Sequence, residues 1–185
     1  MAKKVYLVYG SPLSGKTSYV NKVSTEKDII LDIDKLFESV SMCGMYNNSK
    51  YISFNVFRIR KLLFNDIKSR LGDWENAYII GTYPKKEQRE KICLELDAIL
   101  IHIDTDKKEC IKRLYSDSGG RDRDKWIKYI ENILMIMKNN QTTQERVITR
   151  SFFIQNLPNK FRTSHRLLKI NCRLFGLEKV LKHAN

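Results

Sequence analysis

Apolar residues along this chain fall into two patterns, short nearly unbroken runs and longer stretches in which they recur every three or four positions. The runs are Val5-Tyr6-Leu7-Val8-Tyr9, the segment 28–33 around Ile29-Ile30-Leu31, Ala77-Tyr78-Ile79-Ile80, and Ala98-Ile99-Leu100-Ile101-His102-Ile103. Rich in β-branched and aromatic residues and without alternation, each predicts a strand covered on both faces, as in a parallel sheet. Between them the helical spacing predicts helices over 17–23, over 35–41 with Leu36, Phe37 and Val40 on one side, and from 52 until Gly72 closes it, with Val56, Ile59, Leu63 and Ile67 inward. Further helices are expected from Pro84 to about 96, from an Asp106 cap to about 115, and around Trp126, Ile130, Ile133, Leu134 and Met137. Strands alternating with helices predict an α/β domain, a mainly parallel sheet flanked by helices on both faces through right-handed crossovers. Ligands bind such sheets beyond the carboxyl ends of the strands. That rule singles out Gly10, Asp32 and Asp34, Gly81 to Tyr83, and Asp104 to Asp106.

The patterning weakens after about residue 140. A polar stretch at 141–144, a short strand within 147–154, a turn at 156–160 and a further strand at 167–172 are the elements it predicts there. The chain thus divides into a core over 1–140 and a basic C-terminal extension over 141–185, with the donor of a fifth strand to the sheet left open.

Composition narrows the function classes. Apolar residues make up 42% of the 185, enough for one core. No apolar run is long enough to span a bilayer, and Met1-Ala2-Lys3-Lys4 leads straight into the first strand, so neither a membrane span nor a secretory signal is expected. Cys43, Cys93, Cys110 and Cys172 are widely spaced and form no C-x-x-C pair. Zinc ligation is therefore not expected, and a reduced cytoplasmic chain is. The net charge of +13 admits two readings, an anionic partner such as nucleic acid or a lysine-rich solvated surface. In the extension, Phe152, Phe153, Phe161 and Phe175 lie among Arg146, Arg150, Lys160, Arg162, Arg166, Lys169, Arg173, Lys179 and Lys182. Those rings either stack on unpaired bases, giving weak nonspecific nucleic-acid binding, or dock the extension on the core.

The chemistry is concentrated between the first strand and the first helix. Gly10-Ser11-Pro12-Leu13-Ser14-Gly15-Lys16-Thr17 satisfies G-x-x-x-x-G-K-[ST] at every required position, with the strand before it and the helix after it that the motif demands. Backbone amides of such a loop form a nest for phosphate oxygens at a helix N-terminus. Lys16 supplies a cation to the β- and γ-phosphates, and the Thr17 hydroxyl a ligand for Mg²⁺. ATP and Mg are the implied cofactors, bound by the whole loop from Gly10 through Thr17, with Ser18 at its end.

Two further groups suit phosphoryl transfer. Asp32 and Asp34 end the second strand, where their spacing aims both to one side if the strand reaches that far. Asp34, at the turn into the next helix, is the preferred base or orienting group for an acceptor hydroxyl, and its other reading is a helix cap. Asp32 is the candidate for contact with the metal or for positioning the acceptor. Arg113, with Gly119-Gly120-Arg121-Asp122-Arg123, forms the second group. A glycine hinge before Arg121 and Arg123 reads as a lid whose arginines neutralise charge developing in transfer, or as a loop whose Arg and Asp pair internally. Thr82 and Tyr83 are candidate acceptor contacts, and Asp104 reads as a helix or turn cap, with a metal role as its weaker alternative. Arg89 is assigned to a solvated helix face, His102 to a structural position in mid-strand, and Trp74 and Trp126 to packing.

The phosphate loop, the strand ending Leu31-Asp32-Ile33-Asp34-Lys35-Leu36, and Ile101-His102-Ile103-Asp104 followed by a helix with Cys110 and Arg113 resemble the small P-loop kinases. The likeness is greatest to the polynucleotide-kinase-like ATPases of bacteriophages, whose lid segment Gly120-Arg121-Asp122, Trp126 and Tyr129-Ile130 are similar to. The resemblance covers about 3–138. It implies a P-loop NTPase with a nucleoside-kinase-like three-layer sandwich and transfer of the ATP γ-phosphoryl group to a nucleoside, nucleotide or nucleic-acid end. It also implies Lys16 and Thr17 as the phosphate and magnesium residues, Asp34 as the acceptor-activating carboxylate, Arg121 or Arg123 as the lid arginine, and a host cytoplasm if the source is viral; the residues themselves add Arg113 at the nucleotide and Asp32 at the metal. Gly81-Thr82-Tyr83-Pro84 departs from the acidic or Asn-bearing turn common in that family and leaves the second metal carboxylate unassigned. The alternative is a nucleic-acid-associated ATPase or accessory binding protein without a kinase acceptor.

Overall fold

A computed structural model describes residues 2–42, 49–117 and 120–140. The expectations for Cys43, Gly119, Cys172, the extension over 141–185 and its nucleic-acid contacts lie outside the described residues. The elements run β1 (Lys4–Tyr9), α1 (Lys16–Val23), β2 (Ile29–Asp32), α2 (Ile33–Ser41), α3 (Ser53–Lys68), β3 (Asn76–Gly81), α4 (Lys86–Leu96), β4 (Ala98–His102), α5 (Lys107–Tyr115) and α6 (Arg123–Asn139). The four strands form one parallel sheet in the order β2-β3-β1-β4. This is the α/β P-loop fold, three layers deep, with β1 at the centre of the sheet where the loop after it faces both neighbouring strand ends.

The unbroken apolar runs are explained by burial on both faces. On one face Val5, Leu7, Leu31, Ala77 and Ile79 pack against Ile67 of α3 and Leu96 of α4. Nearer the carboxyl ends on the same face, Tyr9 packs with Ile133 and Met137 of α6. On the opposite face Tyr6 stacks on Tyr78 with ring centroids 5.1 Å apart, and α1 lies beside them with Val20 fully buried. Each buried Val, Leu or Ile side chain contributes roughly 1.5–3 kcal/mol through removal from water. Asp28 fastens the start of β2 to β3, accepting from the backbone N and the side-chain amide of Asn76 at 2.9 and 2.8 Å.

Several boundaries differ from the sequence expectation, each for a local reason. β2 stops at Asp32, because the Asp32 carboxylate caps α2 by accepting from Asp34 N at 3.0 Å. Asp34 therefore sits in the first turn of α2 and not on the strand. Pro84 precedes α4 without entering it; the preceding Tyr83 takes φ 38°, and the helix begins only after Lys85. α3 ends at Lys68, four residues before Gly72. His102 is the last residue of β4, buried and stacked on Tyr9 at 4.6 Å. Asp106 caps α5 as expected, accepting from Glu109 N.

Candidate active site

The loop between β1 and α1 has its shape set by two glycines and one strained leucine. A Cβ on Gly10 would stand 2.5 Å from the Ile103 carbonyl oxygen, so only glycine lets the loop pass that close to the end of β4. Gly15 takes φ +97°, and Leu13 holds φ 60°, a conformation a side-chain-bearing residue keeps only when its surroundings impose it. Those surroundings are visible. Arg113 Nη1 donates to Leu13 O at 3.0 Å, and Thr105 Oγ1 donates to Ser14 O at 2.8 Å. Arg113 is itself aimed by Glu109, one turn earlier on α5, at 2.9 Å. Gly15 opens α1 without a side-chain cap, so the first amides of that helix stay committed to no protein acceptor from a capping side chain, as an anion site requires.

Lys16 folds back over this loop. Its Nζ donates to Gly10 O at 3.1 Å, to Ser11 O at 2.6 Å and to Ser14 Oγ at 3.5 Å. Burial pulls the Lys16 ammonium down to a pKa of about 8, partly offset by the negative charges of Asp32 and Asp34 nearby. The next residue, Thr17, donates its hydroxyl to Asp32 Oδ2 at 3.3 Å. Asp32 is buried, and burial raises its carboxyl above the usual range against the lowering effect of the Asp34 amide. The structure thus brings Lys16, Thr17, Asp32, Asp34 and Arg113 to one end of the sheet. Ser11 and Ser14 are buried within the loop, Pro12 is buried behind it, and Ser18 is exposed in the first turn of α1.

The donor set suits the implied metal. A hydroxyl and one carboxylate side by side are hard oxygen ligands, and Mg²⁺ commonly takes few protein ligands while keeping waters and phosphate oxygens. No cluster of three or more His, Cys, Asp or Glu able to hold an ion occurs among the described residues. Thr17 and Asp32 are the pair that would hold Mg²⁺, which would there withdraw charge from bound phosphate.

Arg121 and Arg123 have other neighbours. The Arg121 side chain is almost fully buried, ion-paired to Asp117 and placed 4.8 Å over the Trp126 ring. Arg123 opens α6 with its guanidinium 5.1 Å over Tyr115. The internal Arg–Asp pairing is therefore the arrangement observed, and Asp122 caps α6 through Lys125 N.

Sequence reasoning misplaced Arg89. It is 1% exposed, donates to Tyr83 O, Pro84 O and Asn140 O at 2.8 Å each, and lies 4.7 Å over Tyr9. It locks the turn after β3 to the end of α6. Arg60 was also missed; its Nη2 donates to the Tyr83 hydroxyl at 3.2 Å, tying α3 to that same turn.

No family model and no curated protein matches the sequence. Solved structures do match. One is a chain of the Pnkp1/Rnl/Hen1 RNA repair complex, with a TM-score of 0.54 at 15% identity over 75% of this chain. The match spans 46% of that chain, less than half its length. Another is shikimate kinase from Acinetobacter baumannii in complex with shikimate, at 16% identity, covering 84% of this chain and 95% of that one with a TM-score of 0.49. Among the described residues no helix is long and apolar enough to cross a membrane.

Proposed function

We propose that the chain is an ATP-dependent phosphotransferase of the nucleotide or polynucleotide kinase type. The observation that carries this reading is the Thr17–Asp32 contact at 3.3 Å, with Asp34 two residues beyond the capping carboxylate. A nucleotide-hydrolysing switch needs the phosphate loop; a second carboxylate near it, here Asp34 in the first turn of α2, is what a hydroxyl acceptor needs. In this reading the loop amides and Lys16 hold the β- and γ-phosphates. Arg113 keeps Leu13 in its strained shape, and Asp34 accepts or orients the proton of the acceptor hydroxyl for in-line attack. Thr82 and Tyr83, just past the end of β3, are the acceptor contacts in this reading, although the Tyr83 ring also packs against the core. Arg121 and Arg123 act as lid arginines once Arg121 leaves Asp117. The fold shared with a chain of an RNA repair complex supports a nucleic-acid end as one acceptor class, beside nucleosides and nucleotides.

Incubation with γ-labelled ATP, Mg²⁺ and a panel of nucleoside, nucleotide, RNA and DNA acceptors tests the proposal. Label appearing on an acceptor is the expected result. Label released only as inorganic phosphate, accelerated by nucleic acid, would replace this reading with that of a nucleic-acid-associated ATPase.

A further inference from the structure

The outer face of α3 carries an unusual load of exposed aromatic and aliphatic surface. Phe54 is 72% exposed, Phe57 56% and Leu62 61%, and Tyr51, just ahead of the helix, is 84% exposed. Scattered singly, such residues need no explanation. Here they recur at helical spacing: Phe54, Phe57, Arg58, Lys61 and Leu62 stand at i, i+3, i+4, i+7 and i+8, so they form one stripe. The buried residues Val56 and Ile67 lie on the opposite side of the helix. Of the stripe only Phe57 borders the core, through Phe37; Phe54 and Leu62 stand clear of it.

The cations within the stripe decide what it fits. Arg58 lies over the Phe54 ring at 5.8 Å, and Lys50 over the Tyr51 ring at 5.4 Å. Phe57 stands edge-on to the buried Phe37 at 6.4 Å, so its ring is held in place while its outer face stays open. The helix has Arg58, Arg60, Lys61 and Lys68 against Asp66 as its one acid. A second copy of this face would set cations against cations. A partner that is anionic and also presents flat apolar groups satisfies both features at once. Unpaired bases on a phosphate backbone are that chemistry: rings take the bases, and interleaved cations follow the phosphates.

We infer that the Tyr51–Phe54–Phe57 face of α3, with Lys50, Arg58 and Lys61, is a binding surface for single-stranded nucleic acid. It is separate from the phosphate loop, so it binds without nucleotide and independently of whether the protein is a kinase. α3 packs on α2, the helix that Asp32 caps and that carries Asp34 in its first turn.

Fluorescence anisotropy of a labelled oligothymidylate with the full chain, without ATP, measures this directly. Phe54→Ala touches the most exposed ring of the helix and is expected to weaken binding about tenfold, within the range of one lost base–aromatic stack. Phe54→Tyr is expected to restore it, and Lys16→Ala to leave it unchanged while removing any transfer activity. A duplex of the same sequence should bind more weakly, since paired bases cannot reach the rings. Thermal melting of each variant excludes a folding defect. Wild-type affinity in Phe54→Ala and in the Tyr51→Ala/Phe54→Ala double variant would overturn the inference. So would equal binding of polyphosphate, which has charge and no bases, or binding of an acidic peptide in place of the oligonucleotide.

Discussion

Lys16 illustrates how much one residue's environment adds to its motif. The pattern assigns it to phosphate; the structure adds that burial brings its pKa to about 8, with Asp32 and Asp34 opposing the shift. Phosphate oxygens favour the ammonium, so its pKa rises when ATP binds. Affinity is then full below pH 8 and falls about tenfold per pH unit above it, with one proton taken up on binding in that window. Calorimetric titration with Mg-ATP at pH 7 and pH 9, in buffers of different ionisation enthalpy, checks both signs; a flat affinity would remove Lys16 charge from the account. Lys16→Ala should abolish turnover and weaken ATP binding. Asp34→Asn is expected to cut phosphoryl transfer by about 100-fold or more with ATP affinity nearly unchanged. Asp32→Asn, which keeps the cap on α2, should have the smaller effect on transfer. The reverse ranking would make Asp32 the base. The phosphate loop was legible in the sequence because its ligands are contiguous. Arg89 was not, because its partners Tyr83 O, Pro84 O and Asn140 O are carbonyls that every residue possesses.

At the scale of elements, two junctions hold the site in place. The first is Arg89, joining α4, the turn after β3 and the end of α6. Arg89→Ala would strand buried carbonyls and remove the contact with Tyr9, costing roughly 3 kcal/mol of stability. Arg89→Lys should recover little, since an ammonium cannot reproduce the planar fork. Denaturant titration measures both, and a loss below the error of that measurement would show the fork to be dispensable. The second junction is the passage from α5 to α6. Arg121 is stored there against Asp117 and Trp126. If it serves the transferring phosphoryl group, Arg121→Ala lowers kcat more than ATP affinity, and the amides of 120–125 gain protection from exchange with an ATP analogue. A purely structural Arg121 would instead lower Tm and leave kcat alone. The apolar runs made the strands readable. The start of α2 was less so, because Asp32 and Asp34 are both cap formers two residues apart and only the bond to Asp34 N separates them.

Over the whole molecule the net charge of +13 has to be divided between general solubility and particular contacts. Sequence alone could not divide it, since a cation on a binding stripe and one on a solvated face are written with the same letter. Salt separates them, because a phosphate contact releases counterions and a stacked base does not. Each phosphate contact to a single strand adds about 0.7 to the slope of log affinity against log salt. Replacing Arg162, Arg166, Lys169 and Arg173 with Glu is therefore expected to weaken oligonucleotide binding steeply at low salt and to make that slope shallower by about 3, with ATP affinity intact. Phe54→Ala should lower affinity at every salt concentration and leave the slope where it was, since it removes a ring and no charge. The two substitutions are then told apart by what they change, affinity at fixed salt for the ring and the salt slope for the charges. A parent slope near zero, or one that the four reversals leave unchanged, would assign the charge of the extension to solubility and place any nucleic-acid contact on the core alone.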